Sequence, residues 1–184
     1  MQVLARLARA DGPTVSPPAS WRIALSGVLS LVGLGASTYL TIVHFVGNQI
    51  LACPAGKGGG AINCEAVITS PQSYVIGIPV AVLGLAYYVV MLAFTSPWAW
   101  RSMDRRVHLA RLALAVVGIG FVLYLVSAEL LIIKAICIWC TAVHIITFAQ
   151  LILVVSTVPT MLGWGVEQEQ EPPPRSRNTP ARRR

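Results

Sequence analysis

The chain has 184 residues, 55% of them hydrophobic and only 11% charged, with a mean hydropathy of +0.70 and a formal net charge of +7. A soluble domain carries about 25% charged residues, so this composition excludes an ordinary soluble enzyme and points to a membrane protein of one small bundle. The arginines behind the positive charge flank apolar runs and form no folded domain of their own, which excludes nucleic-acid binding as their purpose and leaves attraction to anionic membrane lipid.

In chain order, residues 1–20 read as a cytoplasmic N-terminal segment, polar and rich in Pro and Ser (Pro13, Ser16, Pro17, Pro18, Ser20). The first apolar run, Ile23 to Val46, is 24 residues long. A secretory signal has an apolar region of about 7–15 residues, so this run is a spanning helix and not a removable signal. An external loop follows at about residues 47–73. The second span is expected at Tyr74–Phe94, inside a stretch from Ala66 to Trp100 that holds no Asp, Glu, Lys, Arg or His. The third, Leu112–Ala128, is short and can extend into its flanks, and the fourth is Ile132–Val158. A bilayer core of about 30 Å needs roughly 20 apolar residues in a helix, and hydrocarbon offers the backbone no other hydrogen-bond partner. Gly27, Gly33, Gly35, Gly84, Gly118 and Gly120 are read as points of close helix approach. The fold class is therefore an all-α integral membrane protein, a bundle of four transmembrane helices over residues 21–160. Residues 161–184, with three consecutive prolines and five arginines, are expected to form a disordered cytoplasmic basic tail.

Charge sets the orientation. All twelve arginines fall before span one (Arg6, Arg9, Arg22), between spans two and three (Arg101, Arg105, Arg106, Arg111), or in the tail (Arg175, Arg177, Arg182, Arg183, Arg184). With four spans these segments share one face, and positive charge stays cytoplasmic. Both termini are then inside, in a multi-pass protein of the cell (inner) membrane. Trp98 and Trp100 lie beside the middle cluster, where an aromatic belt belongs.

This topology puts all four cysteines on the extracytoplasmic side, where disulfides persist. Cys137-Ile-Trp-Cys140 opens span four with C-x-x-C spacing. Positions i and i+3 share a helix face, and a thiol at a helix N-terminus is stabilised as thiolate. Cys53 and Cys64 enclose ten residues, four of them glycine, a segment able to swing a thiol between partners or to close on itself. Cys64 opens a short helix-capable stretch that ends at Ser70-Pro71. Spacing alone leaves several readings open: a thiol–disulfide relay, inert staples in a non-enzymatic assembly protein, or a zinc site. Haem attachment is excluded, because Thr141 and not His follows Cys140. No internal repeat suggests a transporter.

Taken together, the loop pair Cys53…Cys64, Ser70 six residues later and the C-x-x-C opening the last helix resemble the vitamin K epoxide reductase family, in its bacterial form without a fused thioredoxin-like domain. The resemblance covers roughly Trp21 to Val155, with softer matches at Ser37-Thr38-Tyr39-Leu40 and at Gly77-Ile78-Pro79 with Gly84. It implies a four-helix bundle around a quinone pocket. It also implies an active-site pair, Cys137 and Cys140, with Cys140 meeting the quinone, and a shuttle pair, Cys53 and Cys64. Cys64 would reach Cys137 in a mixed disulfide, and Ser70 would donate a hydrogen bond to a quinone oxygen. The implied function is a thiol–quinone oxidoreductase that generates disulfide bonds. Electrons would come from a separate extracytoplasmic thioredoxin-like thiol protein, with menaquinone, ubiquinone or a relative as acceptor and no metal. Where the vertebrate enzyme has Asn and Tyr, this chain has Val80 and His144, which weighs against the alternative of epoxide reduction.

His144, one helical turn below Cys140, is a second candidate for binding or protonating the quinone, since ionisable groups in spans are functional candidates. His44 reads as an interfacial residue. Glu129 and Lys134 read as caps of the outer turn between spans three and four.

Overall fold

A computed structural model describes residues 18–47, 50–53, 61–102 and 104–162, without the side chains of 158–162. The expected N-terminal segment falls almost wholly, and the basic tail all but wholly, outside these residues. Among the described residues, three helices are long and apolar enough to cross a membrane. They are α1 (Ser20–Val46), α5 (Arg105–Ser127, continued by a π-helical turn, Ala128–Ile133) and α6 (Ile138–Leu162). Between α1 and α5 lie α2 (Cys64–Ile68), the strands β1 (Tyr74–Val75) and β2 (Ile78–Pro79), α3 (Val80–Phe94) and α4 (Pro97–Arg101).

The second apolar run does not begin its helix at Tyr74 as its composition suggests. Residues 74–79 form a two-stranded hairpin, in which Tyr74 pairs with Pro79 and Val75 with Ile78. Ile76 and Gly77 turn it at φ of 53° and 78°. Pro79 has no N–H to give and a fixed φ, so α3 starts at Val80 and spans only 15 residues. The fourth helix also starts later than expected. Lys134 takes the left-handed conformation at φ 56° and closes the π-turn. Ile136 then bonds across to the cysteine loop: its N–H donates to the Ala61 carbonyl at 2.9 Å, and its carbonyl accepts from the Asn63 N–H at 3.1 Å. With those groups committed, the helix begins at Ile138. The third helix, by contrast, extends well beyond its expected core in both directions.

Helix α1 packs along α3 and α6, and α5 packs along α6 and more lightly on α3. Some glycines matter and others do not. A Cβ on Gly33 would run into the Tyr88 ring, which is held by bonds from its hydroxyl to Thr147 Oγ1 (2.9 Å) and the Val143 carbonyl (3.2 Å). A Cβ on Gly118 would lie 2.5 Å from the Tyr87 hydroxyl. Gly27, Gly35 and Gly120 face open space and make no close helix approach. At the end of the bundle where α3, α4 and α5 meet, Trp98 is exposed but Trp100 is buried. The Arg111 guanidinium lies 3.6 Å over the Trp100 ring, and its Nε donates to the Phe94 carbonyl. Trp100 is thus a packing residue and not part of an aromatic belt.

Candidate functional site

The opposite end of the bundle gathers the cysteines. Cys53 and Cys64 form a disulfide with Cα atoms 6.2 Å apart, while Cys137 and Cys140 carry free thiols. Three local features bring the two pairs together. The isolated parallel bridge between Ile62 and Ile136 lays the chain entering Cys64 beside the chain entering Cys137. Asn63 caps α2 by accepting the Ala66 N–H at 3.0 Å, which fixes Cys64 as the first helical residue. Cys64 and Cys137, 1% and 0% exposed, then share one buried cluster with Val67 and Ala135, with Cys53 and Cys140 packed against it.

Cys137 does not lie in the first turn of the last helix. It stands just before it, where a capping Ser or Asp would stand. Its Sγ accepts the Cys140 backbone N–H at 3.3 Å, and its carbonyl accepts the Thr141 N–H at 2.8 Å. A sulfur in the capping position meets both a direct donor and the positive end of a long helix, and both favour its thiolate.

Trp139, between the two helix cysteines, ties the loop from the other side. Its Nε1 donates to the Ala52 carbonyl at 2.7 Å, and its ring lies 4.8 Å from that of Tyr39 on α1. The Tyr39 hydroxyl donates to the Ile50 carbonyl (3.1 Å) and accepts the Ala52 N–H (2.8 Å). The segment leading into Cys53 is thus pinned by three hydrogen bonds, one from Trp139 on α6 and two with Tyr39 on α1. Tyr39→Phe deletes two of them, each worth about 1 kcal/mol. The expected result is faster amide exchange at Ala52, by roughly tenfold or more, with exchange along α6 unchanged; hydrogen-exchange mass spectrometry reads both.

Below the cysteines a cavity of about 330 Å³ opens between α1, α2, α3, α5 and α6. Its walls are mostly apolar, and its few polar groups include Cys140, Ser70, His144 and Glu129. Ser70 is 8% exposed, and its Oγ donates to the Val67 carbonyl at 2.8 Å. Donation to a ligand therefore requires the hydroxyl to turn from that carbonyl. His144, also 8% exposed, sits one turn deeper than Cys140. So five of the six candidates (Cys64, Ser70, Cys137, Cys140, His144) surround one cluster and its cavity, with Cys53 at the rim.

Three further pocket residues bear on the site. His44 lies at the mouth, its Nε2 3.0 Å from the Tyr74 hydroxyl. The Tyr87 hydroxyl is buried at the pocket wall with no protein partner. Glu129 is 5% exposed and faces inward. Only its carbonyl caps the outer turn, accepting from Ala135 and Lys134. An ionisable residue near the end of a span signals function by default, which would have found Glu129. Nothing in the sequence singles out the tyrosine.

The family model for the vitamin K epoxide reductase family matches residues 24–155, well over half of the chain. None of the curated proteins compared with the chain matches it.

Proposed function

This chain belongs to the vitamin K epoxide reductase family, and from that premise we infer that it oxidises protein thiols and delivers their electrons to a membrane quinone. The family is of the quinone-coupled thiol oxidoreductase type, and its members are membrane proteins. The observation that carries the finer reading is the placement of the loop disulfide, whose Cys64 lies in one buried cluster with Cys137 while Cys140 faces an apolar cavity.

A reduced thioredoxin-like protein outside the membrane attacks the Cys53–Cys64 disulfide and leaves oxidised, with both loop thiols reduced. The Cys64 thiolate attacks Cys137 of the Cys137–Cys140 disulfide, forming a Cys64–Cys137 bond and freeing Cys140. Cys53 then attacks Cys64, which restores the loop disulfide and frees Cys137. The helix pair now holds two electrons beside the cavity. Re-forming the Cys137–Cys140 bond passes both electrons to the quinone, with two protons.

The cavity fits such an acceptor. Its volume lies at the lower end of the range for small-molecule sites, roughly 300–1,000 Å³, and it has the expected apolar wall with few polar groups. The unpartnered Tyr87 hydroxyl offers a donor to a ligand oxygen, since a buried polar group without a partner costs about 1–3 kcal/mol. Ser70 and His144 would bind the quinone, and no step requires a metal. Val80 lines the same wall with an apolar side chain, which favours thiol oxidation over epoxide reduction.

The arginine distribution supports four spans with α3 as the second, both termini cytoplasmic, and the cysteines outside the cell (inner) membrane. The test is quinone reduction by the purified chain in detergent with a reduced dithiol. Wild type turns over, and Cys140→Ala loses about a thousandfold or more. Equal rates in the two proteins would reduce the cysteines to staples.

A further inference from the structure

We propose that Glu129 is the proton carrier between the Cys137/Cys140 pair and the quinone, an assignment that rests on the thiol–quinone reading above. The balance of the reaction creates the need. Two thiols and a quinone become one disulfide and one hydroquinone, so two electrons and two protons leave sulfur and arrive at the quinone oxygens. The electrons move as the Cys137–Cys140 bond forms. The protons need a group that can accept one and release it within an apolar wall.

Four observations place Glu129 in that role. It is the only carboxylate buried among the described residues, at 5% exposure. The Cys137 backbone N–H is directed at its carboxylate, which sets the carboxylate against the redox pair. It lines the same cavity as Cys140 and His144. It also lies on the π-turn Ala128–Ile133, and such turns occur often at functional sites. Burying a carboxylate costs several kcal/mol unless it is paired with a cation. Among the described residues, burial and the Cys137 amide are the influences that act on this one.

The groups around it complete the path. From α6 and its entry come Cys137, Cys140 and His144, and from α3 comes Tyr87. His44 of α1 stands at the cavity mouth, and α2, packed on the π-turn, carries Cys64 and Glu65. Lys134 closes the turn itself. Glu129 takes the proton from a thiol as the Cys137–Cys140 bond forms and releases it to a quinone oxygen. The second thiol proton reaches the other oxygen through the pocket's remaining polar groups.

Glu129→Gln keeps an acceptor for the Cys137 N–H and removes the acid–base function. The assay is steady-state reduction of a soluble short-chain quinone by full-length chain in detergent, with a small reduced dithiol, across pH. We expect kcat to fall about 100-fold and an ionisation seen in the wild-type kcat profile to vanish. KM for quinone should stay within about threefold. Glu129→Asp, which keeps the acid, should recover at least about tenfold over Gln. A Gln variant that turns over within about threefold of wild type, with the same pH profile, overturns the proposal. So does an Asp variant as slow as Gln, since both would then report packing alone. A wild-type chain that reduces no quinone overturns the parent reading instead, so the two failures are distinct.

Discussion

A chain carrying Cys53→Ala together with Cys140→Ala, exposed to a mild oxidant, will close a disulfide between Cys64 and Cys137 in nearly every molecule. Only those two thiols remain in it, 73 positions apart in the chain. Chance collision would pair them poorly, because disulfide closure demands Cα atoms within about 7 Å and suitably aimed Cβ vectors. The structure supplies that closeness through backbone. The bridge between Ile62 and Ile136, with its bonds of 2.9 and 3.1 Å, holds the two approaches in register, and both cysteines enter one buried cluster. The companion chain, Cys64→Ala with Cys140→Ala, leaves Cys53 and Cys137. Cys53 is held at the rim by the Trp139 and Tyr39 contacts to residues 50–52, so this chain should stay largely reduced. Peptide mapping by mass spectrometry reads both. Equal closure in the two chains would show that the loop samples many positions and that the bridge does not set the path of exchange.

Cys64→Ala should separate two kinds of electron donor. With a reduced thioredoxin-like protein as donor, activity should fall about a hundredfold or more, because delivery to Cys137 becomes bimolecular and loses the advantage of a positioned intramolecular thiol. With a small dithiol it should stay within about threefold of wild type, provided the reagent reaches the helix pair. That pair is shielded, with Cys137 0% exposed beneath Cys64 and Val67, so removing the Cys64 sulfur also opens a route for the small reagent. A parallel fall with both donors would mean that Cys64 acts in folding and not in relay.

Much of this site is legible in the sequence because it rests on covalent spacing and charge. The run from Ile23 to Val46 defines a helix with little competition. Cys64 at the start of a short helix is read from the stretch that ends at Ser70-Pro71, and the structure adds the Asn63 cap before it. Backbone commitments at the outer turns are harder to read. Composition treats Tyr74 to Phe94 as one run, while Gly77 and Pro79 fold its first six residues into a hairpin. The start of the last helix depends on Ile136 bonding to Ala61, a residue 75 positions earlier. Local pattern cannot report such a partner. The same holds for Trp100, which looks interfacial until Arg111 covers it.

The central claim, that the helix cysteines pass two electrons to a quinone, is tested most directly by a single turnover. Fully reduced chain in detergent is mixed with a soluble quinone in the absence of any other thiol, hydroquinone is counted by absorbance, and the disulfides formed are mapped in the quenched protein. The account predicts that hydroquinone appears in step with the Cys137–Cys140 disulfide in wild type, and that none forms in Cys140→Ala. Quinone left unreduced by the wild-type chain, or reduced equally well without Cys140, would contradict it.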